Sequence, residues 1–325
     1  MPIRFFATLS AGLGLAGAAL AEVPKVATDI TPVHSLVARV MQGAGSPALI
    51  VAPGATPHGY AMRPSEATAL EAADIVIWIG PELTPWMQNA IDALAGDAHT
   101  IGLLDAPGTK TLPFRQGATF AAHDHAADDA QDDHADHDDH AHDAQAHDAH
   151  AQDDVDPHAW LDPENARTWL TRIAGALAEH DPDNAALYTA NAEAARDEIS
   201  ALEIEIAQQL ETVADLPFLV FHDAYQYFET RFDLPAAGAI SLSDASDPSA
   251  ARIVELRDLA QSRDIACVFA EPQFDPKLVE TVFGGVARHG VVDPLAIGVT
   301  PGPDLYPTLM RDMGTALRDC LGGAG

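Results

Sequence analysis

Basic residues are scarce in this 325-residue chain. It has 17 Lys and Arg residues against 49 Asp and Glu, which gives a formal net charge of −32. Such acidity argues against nucleic acid and against anionic lipid as partners, because both carry negative charge. It is compatible with attracting cations, although solvation of the surface explains it equally well.

Long apolar runs are absent beyond the N-terminus. Arg4 precedes the apolar stretch Phe5–Leu20, and Ala19–Ala21 has the small residues of a cleavage site. Residues 1–21 are therefore predicted to be a signal peptide. No cysteine lies at the cleavage point, so a lipid anchor is not expected. We expect a soluble, monomeric mature protein in the periplasm, without a membrane anchor.

The only two cysteines are Cys267 and Cys320. An even number in an exported chain favours one disulfide, here between a predicted strand and the C-terminal helix. Two buried thiols are the alternative.

Strand and helix patterns alternate on both sides of one long helical segment, residues 184–213, which contains no Gly or Pro. The pattern predicts an α/β fold of two lobes, residues 22–183 and 214–325, with parallel sheets flanked by helices and one long rigid linker helix. Near the C-terminus it predicts a helix over 276–288 and a short strand at 291–292. Ligands of such folds bind where strands end, here in the cleft between the lobes.

Residues 123–156 comprise 8 His and 13 Asp without a single Lys or Arg. The segment has too few apolar residues to build a core, so a disordered loop is predicted over 116–155. Imidazoles and carboxylates are ligands of divalent transition metals, and the loop is expected to bind them weakly. Its histidines are His123, His125, His134, His137, His140, His142, His147 and His150.

Three other histidines occupy loops that lead into predicted helices. His58 and His158 belong to the first lobe, and His222 ends a strand of the second. Asp293 and Glu271 end two further strands and could reach the same cleft. Three imidazoles with a carboxylate or water suit tetrahedral zinc, whereas a site richer in carboxylates would favour manganese.

The segments around these residues resemble those of the ZnuA family, zinc-specific periplasmic solute-binding proteins of ABC transporters. The similarity covers about residues 26–320 and the His/Asp insertion. The matching motifs are Pro57–Ser65, His158–Pro163, Phe221–Phe228, Phe269–Phe274 and Asp293–Leu295.

The resemblance implies that His58, His158 and His222 bind Zn(II) as a transported ligand. The fourth ligand is Asp293 or a water, because Pro57 stands where some members have Glu. It also implies a disulfide between Cys267 and Cys320 and a membrane permease as partner. The His/Asp loop would then be an accessory accumulator or sensor of metal.

Two other functions are compatible with a three-histidine site. A zinc hydrolase is disfavoured, because the chain has no HExxH motif, nucleophile elbow or phosphate-binding glycine loop. A periplasmic metal buffer would bind metal in the same way but would deliver it to no transporter. We therefore expect a binding protein and not an enzyme.

Overall fold

The computed structural model describes residues 23–115, 119–120, 155–241, 249–274 and 276–323. They form two four-stranded parallel sheets flanked by helices, and a long helix links the two lobes. The predicted fold class is confirmed. The predicted signal peptide lies outside the described residues. Within the described chain, no helix is both long and apolar enough to cross a membrane.

The first lobe is built around the sheet order β2-β1-β3-β4. Strand β3 reads Ile-Val-Ile-Trp and is buried on both faces, as expected for the interior of a parallel sheet. In chain order the elements are β1 (Val26–Thr28), α1 (Thr31–Val40), β2 (Ala48–Leu49), α2 (Pro64–Glu71), β3 (Ile75–Trp78), α3 (Pro85–Leu94), β4 (His99–Gly102) and α4 (Pro163–His180).

The second lobe repeats this arrangement with the order β6-β5-β7-β8. In each sheet the strand that comes first in the chain, β1 or β5, lies between the next two strands of its lobe. The loops that follow these neighbouring strands diverge and leave a crevice at the carboxyl ends of the strands. The elements are β5 (Phe218–His222), α6 (Gln226–Phe232), β6 (Gly238–Ser241), α7 (Ala250–Ser262), β7 (Cys267–Ala270), α8 (Pro276–Phe283), β8 (Arg288–Val291) and α9 (Leu305–Gly322).

Helix α5 (Ala185–Leu210) joins the lobes and spans about 39 Å at 1.5 Å per residue. It lies within the predicted segment 184–213 and packs against α1 and α4 of the first lobe and α9 of the second. Its buried residues recur every three or four positions, which places them on one face: Tyr188, Ala192, Ala195, Ile199, Leu202, Ile206 and Leu210. The division of the chain at residues 183 and 213 stays a prediction.

One hydrophobic core runs through both lobes. Trp169 of α4, Ile199 of α5 and Leu309 of α9 belong to the same buried cluster, together with residues of both sheets. Separating the lobes would expose this apolar surface, at about 25 cal/mol for each Å². The shared core therefore opposes a wide hinge motion.

The sequence pattern was wrong about the last α/β unit. The helix predicted over 276–288 ends at Phe283, and β8 covers Arg288–Val291 where a strand was expected at 291–292. Gly284 and Gly285 interrupt the helical pattern. Gly285 adopts φ +81°, a left-handed conformation that commonly ends a helix and that glycine adopts most easily. The chain then has room to start the strand three residues earlier.

The disulfide between Cys267 and Cys320 is present and joins β7 to α9, as predicted. Both cysteines are buried. The crosslink fastens the C-terminal helix to the interior of the second sheet.

Most of the predicted loop 116–155 lies outside the described residues, including all eight of its histidines. Within it, residues 119–120 and 155 are described. The Phe120 N–H donates to the Ala237 carbonyl at 2.9 Å, and Val155 forms an antiparallel bridge with Pro113. Phe120 therefore lies beside the second lobe, and Val155 lies beside Pro113.

Candidate metal centre

His158 is oriented by a carboxylate two residues before it. Its Nδ1 lies 2.7 Å from Asp156 Oδ1, and the same oxygen accepts the His158 backbone N–H at 3.0 Å. An ionised carboxylate only accepts, so the imidazole Nδ1–H donates and Nε2 keeps its lone pair. The Tyr227 hydroxyl donates to the Asp156 carbonyl at 2.7 Å and fixes the backbone of this pair.

The turn after His158 is short and well capped. A single 3₁₀ turn, Ala159–Leu161, leads into α4, where the Asp162 side chain accepts the Glu164 N–H as an N-cap and Pro163 occupies the first turn. This local chemistry stops His158 from joining the helix. Its ring is therefore presented at the edge of the lobe, with 5% of the residue exposed.

His222 is the last residue of β5 and is oriented by a carboxylate from the neighbouring strand. Its Nδ1 lies 2.5 Å from Glu271 Oε1, and the other oxygen of Glu271 accepts the Gln273 side-chain amide at 2.6 Å. Glu271 directly follows β7, which pairs with β5 in parallel. The carboxyl ends of paired parallel strands lie side by side, and this brings the two residues together.

The two imidazoles meet between the lobes. Nε2 of His158 lies 3.4 Å from Nε2 of His222, and the ring centroids are 5.3 Å apart. Two nitrogens on one tetrahedral zinc, at about 2.0–2.1 Å each, are separated by about 3.3–3.4 Å. Because both Nδ1 atoms donate to carboxylates, both facing Nε2 atoms of neutral rings carry lone pairs. A cation between them removes their mutual repulsion.

The ring of His58 lies farther from that of His158 than the ring of His222 does. His58 lies in the loop between β2 and α2, is partly exposed, and its ring centroid is 5.9 Å from that of His158. The Trp86 indole N–H donates to the Pro57 carbonyl at 2.8 Å and so fixes the residue before it. Among the described residues, no group of three or more His, Cys, Asp and Glu side chains is already arranged to hold a metal.

Asp293 lies just beyond β8, and both of its oxygens accept backbone N–H groups. Oδ1 accepts from Leu295 at 3.1 Å and Oδ2 from Ile297 at 2.6 Å. Burial raises the pKa of Asp293, the backbone hydrogen bonds lower it, and the nearby charge of Glu271 raises it further. Its proximity to Glu271 places it on the side of the cleft that holds His222.

The structure brings the Nε2 atoms of His158 and His222 together, puts His58 beside His158, and sets Asp293 near Glu271. The partnership of Asp156 with His158 was missed in the sequence, because Asp156 was counted with the thirteen aspartates of the His/Asp segment. The spacing Asp-Pro-His was the available signal, since a carboxylate two residues before a histidine can reach its ring.

Comparison with known proteins places the whole fold in one family. The family model described as "Zinc-uptake complex component A periplasmic" matches residues 26–320. The chain belongs to the ZnuA family. A high-affinity zinc uptake system protein ZnuA of Paracoccus denitrificans is 49% identical over 317 residues, covering 97% of both chains. Its counterpart in Brucella abortus is 47% identical over 317 residues, covering 95% of both.

Solved structures agree on the fold. A crystal structure of ZnuA aligns with a TM-score of 0.68 and 24% identity, covering 91% of this chain and 99% of the other. Membership in this periplasmic family of uptake components identifies the chain as a binding protein of a transport system, not an enzyme. The zinc hydrolase alternative is therefore set aside.

Proposed function

We propose that this chain captures Zn(II) in the periplasm with high affinity and delivers it to the permease of an ABC-type zinc importer. His58, His158 and His222 are the proposed protein ligands, and Asp293 or a water supplies the fourth position. Zinc is the cargo, so the site has to bind it tightly and also release it.

The approach of the Nε2 atoms of His158 and His222 to 3.4 Å carries this proposal. Asp156 and Glu271 hold the two Nδ1 atoms, so both Nε2 lone pairs are directed towards one place before metal arrives. Carboxylates behind metal-binding imidazoles fix the tautomer and increase ligand basicity, and their loss commonly costs about 10–100-fold in metal affinity. Neutral imidazole donors suit zinc better than manganese, which prefers oxygen ligands.

His58 completes the site in this proposal by a small movement of its loop. Two imidazoles on one tetrahedral zinc have ring centroids roughly 5 Å apart, whereas those of His58 and His158 are 5.9 Å apart. The anchors of the loop lie on either side of His58: Trp86 holds Pro57, and the Tyr60 hydroxyl donates to Glu66 at 2.9 Å. The proposal therefore requires the His58 ring to turn inward while both anchors hold.

The His/Asp segment is proposed to act as an accessory accumulator or sensor. Its eight histidines would each bind metal weakly, and tethering them beside one strong site raises the local metal concentration. Adjacent aspartates favour the protonated form of these imidazoles, so metal uptake by the segment should weaken more steeply as the pH falls.

Competitive titration of the metal-free mature protein with zinc and a chromophoric chelator tests the proposal. We expect one tight site in the wild type, and a loss of affinity of about tenfold or more in His158→Ala and in His222→Ala. His289→Ala is the matched control, because His289 lies in β8 and is assigned no metal. Unchanged affinity in His222→Ala would remove that residue from the site.

Delivery needs a separate experiment, because a metal buffer would bind zinc equally well. A bacterial strain that lacks its own binding protein but keeps the cognate permease should grow under zinc chelation only when it expresses the wild-type chain. Tight binding in vitro without rescue, and without capture of the permease, would favour the buffer.

A further inference from the structure

Arg115 belongs to the segment that follows β4, yet its guanidinium group is inserted into the second lobe. Its Nε lies 2.9 Å from Asp223 Oδ1, and Nη2 also donates to this oxygen. Nη1 and Nη2 donate to the two oxygens of Glu229 at 2.6 and 2.9 Å. Both carboxylates are buried, so one guanidinium group is the shared charge partner of two carboxylates that are largely removed from water.

The position of Asp223 connects this ion cluster to the proposed metal centre. Asp223 directly follows His222, and its side chain is 2% exposed. Glu229 also accepts the Ala236 N–H at 3.0 Å, which fastens α6 to the chain that leads into β6. Arg115 therefore fixes the turn after β5, while Glu271 fixes the ring at the end of β5.

A second contact holds Arg115 in place from the other side. Its guanidinium carbon lies 3.7 Å from the centroid of the Phe120 ring, a cation–π distance. The Phe120 backbone N–H donates to the Ala237 carbonyl at 2.9 Å. The guanidinium group is thus enclosed by Asp223, Glu229 and Phe120, and it has little freedom to exchange partners.

We infer that Arg115 is a positioning residue of the metal centre, which holds the His222 turn in its binding geometry through Asp223. The inference rests on the proposed function. Without the guanidinium group, Asp223 and Glu229 would be two buried like charges, and the turn would shift to separate or hydrate them. That shift would move His222, and it would also disturb the support of His158, because Tyr227, which donates to the Asp156 carbonyl, lies in α6.

Positioning and simple electrostatics predict opposite outcomes for the same substitution. Arg115 is a positive charge near a cation site, so its removal should favour Zn(II) binding if charge were its only influence. A positioning role predicts weaker binding and faster release. Lys keeps the charge but lacks the planar fork that holds two carboxylates, so Arg115→Lys separates the two roles as well.

The experiment compares zinc affinity and zinc dissociation rate, measured by stopped-flow chelation, in Arg115→Gln, Arg115→Lys and the wild type. We expect the dissociation rate to rise about tenfold in both variants. This is the lower end of the range of about 10–100-fold for losing a residue that supports a metal ligand. The visible spectrum of the Co(II)-loaded protein should also change, because its absorption reports ligand geometry. Arg39→Gln is the control, since Arg39 bridges two carboxylates, Glu198 and Asp304, on other elements. Its dissociation rate should stay within twofold of the wild type.

Arg115→Gln/Glu229→Gln keeps the test decisive if the single Gln variant does not fold. It removes one positive and one negative charge together, which should restore stability while Asp223 stays unanchored. Faster zinc release and an altered Co(II) spectrum in the folded double variant support the inference. A zinc dissociation rate in the double variant equal to that of the wild type, or tighter zinc binding in Arg115→Gln, overturns the inference. A wild-type chain without a tight zinc site would instead overturn the proposed function.

Discussion

Trp160 of the first lobe donates its indole N–H to the carbonyl of Pro294 in the second lobe, at 2.8 Å. Trp160 lies two residues after His158, and Pro294 directly follows Asp293. The Tyr306 hydroxyl donates to the Trp160 carbonyl at 2.9 Å, which anchors the tryptophan from α9. The backbones that carry two of the proposed ligand positions are therefore tied across the cleft by one buried side chain.

Trp160→Phe should lower the free energy of unfolding by about 1–3 kcal/mol, because the buried Pro294 carbonyl loses its donor. It should also weaken zinc binding, because the indole holds the Pro294 backbone beside Asp293 and its ring lies 5.2 Å from that of His158, centroid to centroid. Urea unfolding and zinc competition measure the two effects. Trp169→Phe is the matched control, because that indole donates to Thr109 within the first lobe, at 2.9 Å. Equal zinc affinities in the two variants would contradict a supporting role of Trp160 in the metal centre.

Two deletions of the His/Asp segment should differ, although their ends are only two residues apart. Removing 123–154 should leave one tight zinc site and abolish only weak additional binding. Removing 123–156 also deletes Asp156, the partner of His158 at 2.7 Å, and should weaken the tight site by about tenfold or more. Calorimetric titration with zinc resolves both classes of site. A tight site lost in the shorter deletion would mean that the segment itself supplies a main ligand.

The buried Asp29 should make the metal-free protein less stable as the pH rises from about 4 to about 7. Burial raises the pKa of this carboxyl from 3.8 to about 7, although the Ile79 and Ile30 N–H groups lower it. The folded chain then binds more protons than the unfolded chain between these values, so the free energy of unfolding falls across the window. At 1.36 kcal/mol per pKa unit, the fall is at most about 4 kcal/mol.

Urea unfolding of the metal-free protein at several pH values measures this dependence, with Asp29→Asn as the comparison. The asparagine does not titrate, so its stability should fall less than that of the wild type over the same window. It should be less stable at pH 4, because an amide cannot accept both the Ile30 and the Ile79 N–H. Parallel pH profiles for the two proteins would show that Asp29 does not govern the effect.

Cys267→Ser/Cys320→Ser should lower the free energy of unfolding by about 4 kcal/mol, the chain-entropy value for a closed loop of this length. The two cysteines are separated by 53 residues. Zinc affinity should change less than twofold, because Cys267 begins β7 whereas Glu271 follows its other end, about 13 Å away at 3.3 Å per residue. Thermal unfolding and zinc competition on the same samples check both statements. A large loss of affinity would mean that the crosslink also supports Glu271.

Local sequence patterns predicted the elements well where hydrophobic period and end signals agreed. The stretch without Gly or Pro over 184–213 contains α5, because helix-forming signals act over neighbouring residues. The end of α8 was wrong, since the apolar period continues past Phe283 and the conformation of Gly285 decides the outcome. The candidate histidines were recognisable because each follows or precedes an element whose type was predictable.

The sequence by itself determined the α/β alternation, the two-lobe plan, the cysteine pair and the three candidate histidines, because each depends on residue type and short-range spacing. Only the tertiary structure decided which groups meet. Glu271 reaches His222 across 49 positions of sequence because β5 and β7 are neighbours. Arg115 crosses to Asp223 over 108 positions. Such contacts depend on strand order and on the packing of one lobe against the other, which a linear pattern of hydrophobic and polar residues does not encode locally.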